Sequence, residues 1–357
     1  MSKVAILGDT HFGVRQDSRI FMDHQKKFFD EVYFPTLEEQ NIEYQIQLGD
    51  LMDRRQSASF YTSSFVKDVY LEESRKRNIG GDILIGNHDI YYRSSIEINS
   101  WMELFKAQYN DLFDGITSPI TKEIYGVEID LIPWICEENH DEILKFMSNS
   151  SSEYLFAHLQ LSGFPMMRGI NSDTGEDASL FNQYKTVFTG HFHTHSYNDN
   201  ILYTGTPYEL TWSDFNDPKY FFLWEPETGE IETVQNPFNL FHKVIYNDEQ
   251  NDPQDYLNMN LAPYENSFVR IIVEQNNDPK YLESFIERMG RIGKPYDLQV
   301  TNTVVSYREE DIEDIEVQDP LTILMNSVEE SNKERKQRIQ KDIMNIHTEA
   351  MSMGAEE

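Results

Sequence analysis

Aspartate, histidine and asparagine recur in this chain at five places, each directly after an apolar, strand-like run. The segments are Gly8-Asp9-Thr10-His11, Gly49-Asp50, Gly86-Asn87-His88-Asp89, His158 and Gly190-His191-Phe192-His193. Together they offer the mixed oxygen and nitrogen donors that a pair of divalent transition metals needs. Two such ions about 3.5–4 Å apart clamp a phosphate ester and acidify a water that can attack phosphorus in line. A carboxylate can bridge two cations, which assigns the central Asp50 to both. Asp9, His11 and one of His191 and His193 then complete one site, while Asn87, His158 and the other histidine complete the second. A neutral Asn lowers the negative charge at its ion and keeps that ion electrophilic. His88 adjoins a ligand but is expected to point away from the metals, towards the leaving oxygen, where it can donate a proton. Asp89 is expected to orient the His88 ring.

Each segment also has a bland reading. A lone Gly-Asp after a strand is most often only a turn, and a lone histidine is more often structural than ligating. His24, His140, His195, His242 and His347 take the bland reading, with His195 left open by its closeness to the last motif. The other five of the ten histidines all fall in the motifs, and that concentration favours a metal centre over five unrelated turns.

The elements that must position these residues are legible as alternating strand and helix signals over the first two-thirds of the chain, the pattern of a layered α/β domain. Strands are expected at residues 3–7, 44–48, 82–85, 154–157 and 186–189. Helices are expected at 20–40, 61–77 and 95–109. From about residue 123 the pattern reads as strands without long helices, at 124–125, 127–135, 201–204 and 220–224. Asp9, Asp50, Asn87, His158 and His191 are expected one or two residues past a strand, where open α/β sheets gather their ligands. The glycines before four of them permit sharp exits and close backbone approach.

Residues 1–240 read as one domain. A smaller unit follows at 241–307, with strands at 243–246, 268–273 and 298–305 and a helix at 279–289, suited to a cap. Residues 308–319 form an acidic linker. Helices are expected in the 320–357 tail, at 321–330 and 333–351. In the second of these Ile339, Ile343, Ile346 and Ala350 share one face, as in a groove-binding segment; folding back on the body is the plainer alternative.

Carboxylates outnumber basic residues by 62 to 30, for a net charge of −32, which runs against unaided binding of nucleic acid. Either the substrate is no polyanion, or metals and a partner chain supply the attraction. A lone Cys136 leaves no internal disulfide and fits a reducing cytoplasm. No secretory leader or membrane-spanning run is expected.

With these residues in place, the chain resembles the calcineurin-like metallophosphoesterase superfamily, through Asp9-x-His11, Gly49-Asp50, Gly86-Asn87-His88-Asp89, His158 and Gly190-His191-x-His193 in the family's order. Within it, the segments 131–139, 203–207 and 216–218 are similar to SbcD-type nuclease subunits, the bacteriophage recombination endonuclease subunits among them. The resemblance implies a four-layer αββα sandwich with a small α/β cap domain and a C-terminal helical tail. It implies two Mn²⁺-type ions, with Mg²⁺ as the alternative, and exonuclease and endonuclease cleavage of DNA in repair, recombination and replication. It further implies cap contact with DNA, an SbcC-type coiled-coil ATPase bound by the tail, and a homodimer through helices near 61–77 and 95–105. Asp53-Arg54 departs from this pattern: some cellular relatives carry histidine there, and the protein-phosphatase branch places a phosphate-binding arginine. A phosphomonoesterase or protein phosphatase is therefore the alternative function, and a partner-binding scaffold without catalysis is a third.

Overall fold

Short runs of branched and aromatic residues, punctuated by Gly, Asn and Asp, become strands, and the central ones are buried on both faces. In the computed structural model, residues 2–167 and 170–302 are described. Strands β1 (Val4–Leu7), β2 (Tyr44–Gln47), β3 (Gly80–Leu84) and β4 (Phe113–Ile116) lie side by side in parallel. A second sheet contains β5 (Ile120–Ile124), β6 (Val127–Leu131), β7 (Tyr154–His158), β10 (Thr186–Gly190), β11 (Ser196–Asn198) and β12 (Ile201–Tyr203) in the order β11-β12-β10-β7-β6-β5. Strands β13 (Tyr220–Trp224) and β14 (Ile231–Gln235) return antiparallel to the β1 edge and complete six strands in the first sheet. Between β7 and β10 lies a small antiparallel pair, β8 (Pro165–Met167) and β9 (Ile170–Asn171).

Alternation along each strand divides three cores. Val4 and Ile6 of β1 face the second sheet and meet Ile46, Leu84, Phe156, Phe188 and Trp224. Ala5 and Leu7 face the opposite way, into a core built with the helices. The outer face of the second sheet, through Leu155, Ala157 and Val187, packs on Ile143 and Met147. Helices outside and two facing sheets inside are the four expected layers. Full burial of each large apolar side chain contributes roughly 1.5–3 kcal/mol, so these cores hold the strand ends, and the loops on them, in fixed register.

The long helical run after β1 is Arg19–Phe28, a π-helical stretch Phe29–Tyr33 and Phe34–Glu39. The wider π turn rotates the apolar stripe, and Phe28, Phe29, Val32 and Tyr33 are all buried. The run from Phe60 to Lys76 also carries a π stretch, Lys67–Leu71. The helix expected from 95 starts at Trp101. Residues His140–Asn149 form a helix of 10 residues within the stretch read as strands without long helices. Its core-facing residues are Ile143 and Met147, with Leu144 and Phe146 packed beside them half-buried. The expected strand 127–135 ends at Leu131.

A third, three-stranded sheet contains β15 (Phe241–Asn247), β16 (Phe268–Gln275) and β17 (Asp297–Asn302), all parallel. Crossover helices Pro253–Asn258 and Pro279–Arg288 cover it around a core of Tyr246, Tyr256, Ile271 and Phe285. Phe241 and Phe268 also pack on Phe21, with ring centroids 6.2 and 5.5 Å away. Residues 303–307 of the expected cap, the acidic linker 308–319 and the tail helices of 320–357 lie outside the described residues. No described helix is long and apolar enough to cross a membrane.

Candidate metal centre

Five parallel strands, β1, β2, β3, β7 and β10, deliver the motif residues at their carboxyl ends. Asp9 lies two residues past β1 and His191 one past β10, as anticipated; Asp50 and Asn87 lie three past their strands, and His158 is the last residue of β7 itself. The exits are tight. Gly49 has a left-handed φ of 98°, and a Cβ there would lie 2.6 Å from Nδ1 of His158. A Cβ on Gly190 would lie 2.2 Å from Oδ1 of Asp9. Three motif residues other than glycine adopt positive φ: His11 at 44°, Asp50 at 52° and His191 at 90°. Such backbone costs of order 1–3 kcal/mol per residue and persists where the surroundings dictate it.

Those surroundings are hydrogen bonds between the loops. Thr10 and His11 donate their N–H groups to the Asp50 carbonyl at 3.2 and 3.0 Å. The His191 N–H donates to Asp9 Oδ2 at 2.8 Å, and the His88 N–H to Asp50 Oδ1 at 2.7 Å. Gln25 reaches from the first helix and donates to the carbonyls of Thr10 and His11. Gln47 donates to the Gly49 carbonyl at 2.6 Å and accepts the Gly49 N–H. Neither glutamine was singled out from the sequence, because a buried polar residue looks like an exposed one until its partner is known.

The side chains converge in overlapping groups whose donor atoms lie within 4.8 Å of one another: Asp9, His11 and His193; His11, Asp50 and His88; Asp50, His158 and His191. Asn87 joins the last group, its Oδ1 2.9 Å from Nε2 of His158 and 2.8 Å from Nδ1 of His191. Asp50 lies between the clusters, with Oδ2 3.3 Å from His158 Nε2 and 3.8 Å from His11 Nε2. All seven expected metal residues, Asp9, His11, Asp50, Asn87, His158, His191 and His193, therefore meet in one place.

The donor set fits cations. Oδ1 of Asp9 is buried with no hydrogen-bond partner, an arrangement that costs stability unless something positive faces it. The Leu48 carbonyl accepts from Nδ1 of His158 at 2.8 Å, which in the neutral ring turns the Nε2 lone pair towards the Asn87 oxygen. With the Asn87 amide turned over, its nitrogen would donate to both rings and its oxygen would accept from Arg55 Nη2 at 3.0 Å. The orientation with oxygen inward is the one a cation needs.

Electrostatics agree with a crowded, dry site. Burial, reinforced by Asp50 and only partly offset by His158, raises Asp9 to about 7. Burial would raise Asp50 as well, but His158, His88 and His11 outweigh it and hold that carboxyl well below its usual range. Burial would lower His158, yet Asp50 and Asp9 lift it to about 9. Burial and the neighbouring His158 lower His191. Divalent ions would relieve the same repulsions among carboxylates and release protons from the rings.

His88 and Asp89 depart from expectation. The His88 ring is edge-on to His11 at 4.9 Å, closer to the cluster than anticipated. Its Nδ1 donates to the carbonyl oxygen of Asp53 at 2.6 Å. Asp89 does not orient that ring. Its carboxylate accepts N–H groups from Leu51, Met52 and Gly86 at 3.2, 3.1 and 3.0 Å and the Ser100 hydroxyl at 2.8 Å. Consecutive side chains leave a loop in different directions, and that of Asp89 turns inward to clamp the second and third motif loops together. Burial, aided by Asp50, raises it to about 6.

Arg54 pairs with Asp17 at 3.6 Å, while Arg55 is the arginine beside the Asn87 amide. Trp134, anchored by its backbone N–H to the Ile85 carbonyl at 2.7 Å, sets its ring 5.0 Å from His191 and 5.8 Å from His158. His195 donates through Nδ1 to the Tyr203 carbonyl oxygen at 2.8 Å, a contact that fits its structural reading.

The calcineurin-like phosphoesterase family model matches residues 2–195, which include every residue of the cluster. Over 329 residues the chain is 31% identical to exonuclease subunit 1 of Enterobacteria phage T4, covering 90% of this chain and 91% of that one. Over 370 residues it is 23% identical to the DNA double-strand break repair protein Mre11 of Nanoarchaeum equitans, covering 86% of this chain and 99% of that one.

Proposed function

This chain belongs to the calcineurin-like phosphoesterase family, and on that premise we propose that it hydrolyses DNA phosphodiesters with two divalent ions, Mn²⁺ in our reading, as the nuclease subunit of a recombination and repair complex. It is a metal-dependent phosphodiesterase, a nuclease of the hydrolase class. The observation that carries the mechanistic reading is the meeting of the donor groups around Asp50. Asp9, His11 and His193 would hold one ion, Asn87, His158 and His191 the other, and Asp50 would contact both. Bound there, the ions would polarise a phosphoryl oxygen and supply an acidified water.

The chain's own residues do the rest. A carbonyl can only accept, so Nδ1 of His88 keeps its proton towards Asp53 throughout. The proton that moves is therefore the one on Nε2, which the imidazolium gives to the leaving oxygen. Asp89 holds the loop that carries His88 against the loop that carries Asp50. Burial of Asp9, Asp50 and His158 keeps bulk water from the donor atoms, which strengthens each charge interaction there.

The partners follow from the resemblance. The SbcC-type ATPase would bind the tail beyond residue 320, and the cap would contact DNA. A homodimer through the helices near 61–77 and 95–105 is supported by exposed apolar residues on these segments: Phe60 is 98% exposed, and Tyr61, Ile98 and Met102 are also exposed. The two helical runs lie side by side, with Tyr109 donating to Glu72 at 2.7 Å and Arg75 to Asp111 at 2.7 Å. The net charge of −32 makes ions and an ATPase the sources of attraction for DNA.

Purified protein should degrade DNA with Mn²⁺ and stop when a chelator is added. Hydrolysis of a small phosphomonoester with DNA left intact would favour a phosphatase instead. Removal of residues 320–357 should abolish association with the ATPase and spare cleavage of short DNA; undiminished association would overturn the tail assignment.

A further inference from the structure

Lys219 is, among the described residues, the one lysine or arginine that is buried. An ammonium has three donors, and all three are engaged: Nζ donates to Asp214 Oδ1 at 2.6 Å, to Asp217 Oδ2 at 2.9 Å and to the carbonyl oxygen of His193 at 3.0 Å. Burying an ion cluster brings little or no net stability over an apolar replacement of the same volume. What it supplies is fixed geometry.

The carbonyl of His193 is held from a second side by the same chain segment. Thr206 donates its N–H to it at 3.1 Å, and a Cβ on Gly205 would lie 2.7 Å from it. Asp214 uses its other oxygen to accept the N–H groups of Leu210 and Thr211 at 2.9 and 2.8 Å. Further along, Glu209 Oε2 accepts the N–H groups of Leu240 and Phe241, at 2.5 and 2.9 Å, where β15 begins. The Trp212 ring lies 4.0 Å under the Arg270 guanidinium, and the Phe215 ring 5.0 Å under the Lys243 ammonium. Residues 205–219 thus grip the third sheet at one side and the backbone of His193 at the other.

We propose that Lys219 is a positioning residue that, braced by Asp214 and Asp217, fixes the main chain of His193 and ties this ligand to the segment on which the third sheet is rooted. The inference rests on the metal-ligand reading of His193 given above. Lys219 touches no reacting atom. It sets the direction from which the His193 ring reaches the Asp9–His11–His193 cluster, so its loss weakens that cluster and leaves the Asn87–His158–His191 cluster intact. Removing supports of this kind commonly costs about 10–100-fold in metal affinity.

The test is Mn²⁺ titration of the full-length protein by calorimetry, with the EPR spectrum of bound Mn²⁺ reporting whether neighbouring sites are both filled. Wild type should take up two ions. Lys219→Gln, folded by circular dichroism, should bind one ion as wild type does and the second at least tenfold more weakly, with loss of the coupled EPR signal. Lys219→Arg, which keeps the positive charge that Asp214 and Asp217 brace, should lie between. Two ions bound by Lys219→Gln with wild-type affinities, or both sites weakened alike, would overturn the proposal. If Lys219→Gln does not fold, Asp217→Asn decides: a several-fold loss at one site supports the role, and unchanged binding overturns it. Wild-type protein that takes up no Mn²⁺ would sink the metal reading itself, a failure visible before any variant is made.

Discussion

Nε2 of His11 and Nε2 of His193 lie 3.0 Å apart, although 182 residues separate them along the chain. Two ring nitrogens at that distance repel unless a proton or a cation lies between them, and Asp9 offers a buried, unpartnered oxygen to the same cluster. The second cluster repeats the pattern with Asn87, His158 and His191. The folded chain thus concentrates cation-ligating donor atoms in one buried place, and ions bound there would stabilise the folded state.

The Asp89 clamp predicts a stability effect rather than a purely catalytic one. Asp89→Ala leaves three backbone N–H groups and a hydroxyl without their acceptor, a loss on the order of 3–5 kcal/mol. Thermal or denaturant unfolding should show it directly. A variant with wild-type stability and abolished cleavage would restore the ring-orienting role.

His88 should behave in the opposite way. His88→Asn should keep bound Mn²⁺ and wild-type stability while DNA cleavage falls by about 10²–10⁴-fold, the usual worth of a general acid. Undiminished cleavage would remove His88 from the mechanism.

Much of the centre was legible because its motifs lie at or just past the ends of strands, and strands of branched residues between glycines are among the plainest local signals. What the residues could not show was direction. His88 and Asp89 are neighbours in sequence, yet one ring meets the Asp53 carbonyl while the other side chain turns into the loops. Gln45 and Gln47 alternate with apolar residues like the wet face of a strand, but Gln45 is buried against Tyr33, Tyr70 and Ser74. Helix His140–Asn149 was missed because its apolar residues, Ile143, Leu144, Phe146 and Met147, are bunched within five positions and show no repeated helical period. Trp134, against His191 and His158, had no local pattern that would reveal it.

Glu209 gives a pH prediction outside the metal cluster. Burial raises its carboxyl from 4.5 to about 7, partly offset by the N–H groups of Phe241 and Leu240. The folded chain therefore holds this proton more tightly than the unfolded chain does. Its stabilising contribution is complete below about pH 4.5 and is lost as pH rises through 7, at up to about 1.4 kcal/mol per pH unit. Glu209→Gln should flatten that part of the stability profile; an unchanged difference between variant and wild type from pH 4.5 to 7 would contradict the assignment.

The exposed apolar residues on the two side-by-side helical runs predict self-association. Phe60→Glu with Met102→Glu should convert a dimer to monomers in analytical ultracentrifugation while changing monomer stability by no more than about 0.5 kcal/mol. A wild-type monomer, or a dimer indifferent to both changes, would rule out this interface.

The convergence of the motif loops on a pair of ions is tested most directly by anomalous diffraction at the manganese edge from crystals soaked in Mn²⁺. Two peaks should appear, one among Asp9, His11 and His193 and the other among Asn87, His158 and His191, with Asp50 in contact with both. A single peak elsewhere, or none at these side chains, would contradict the account.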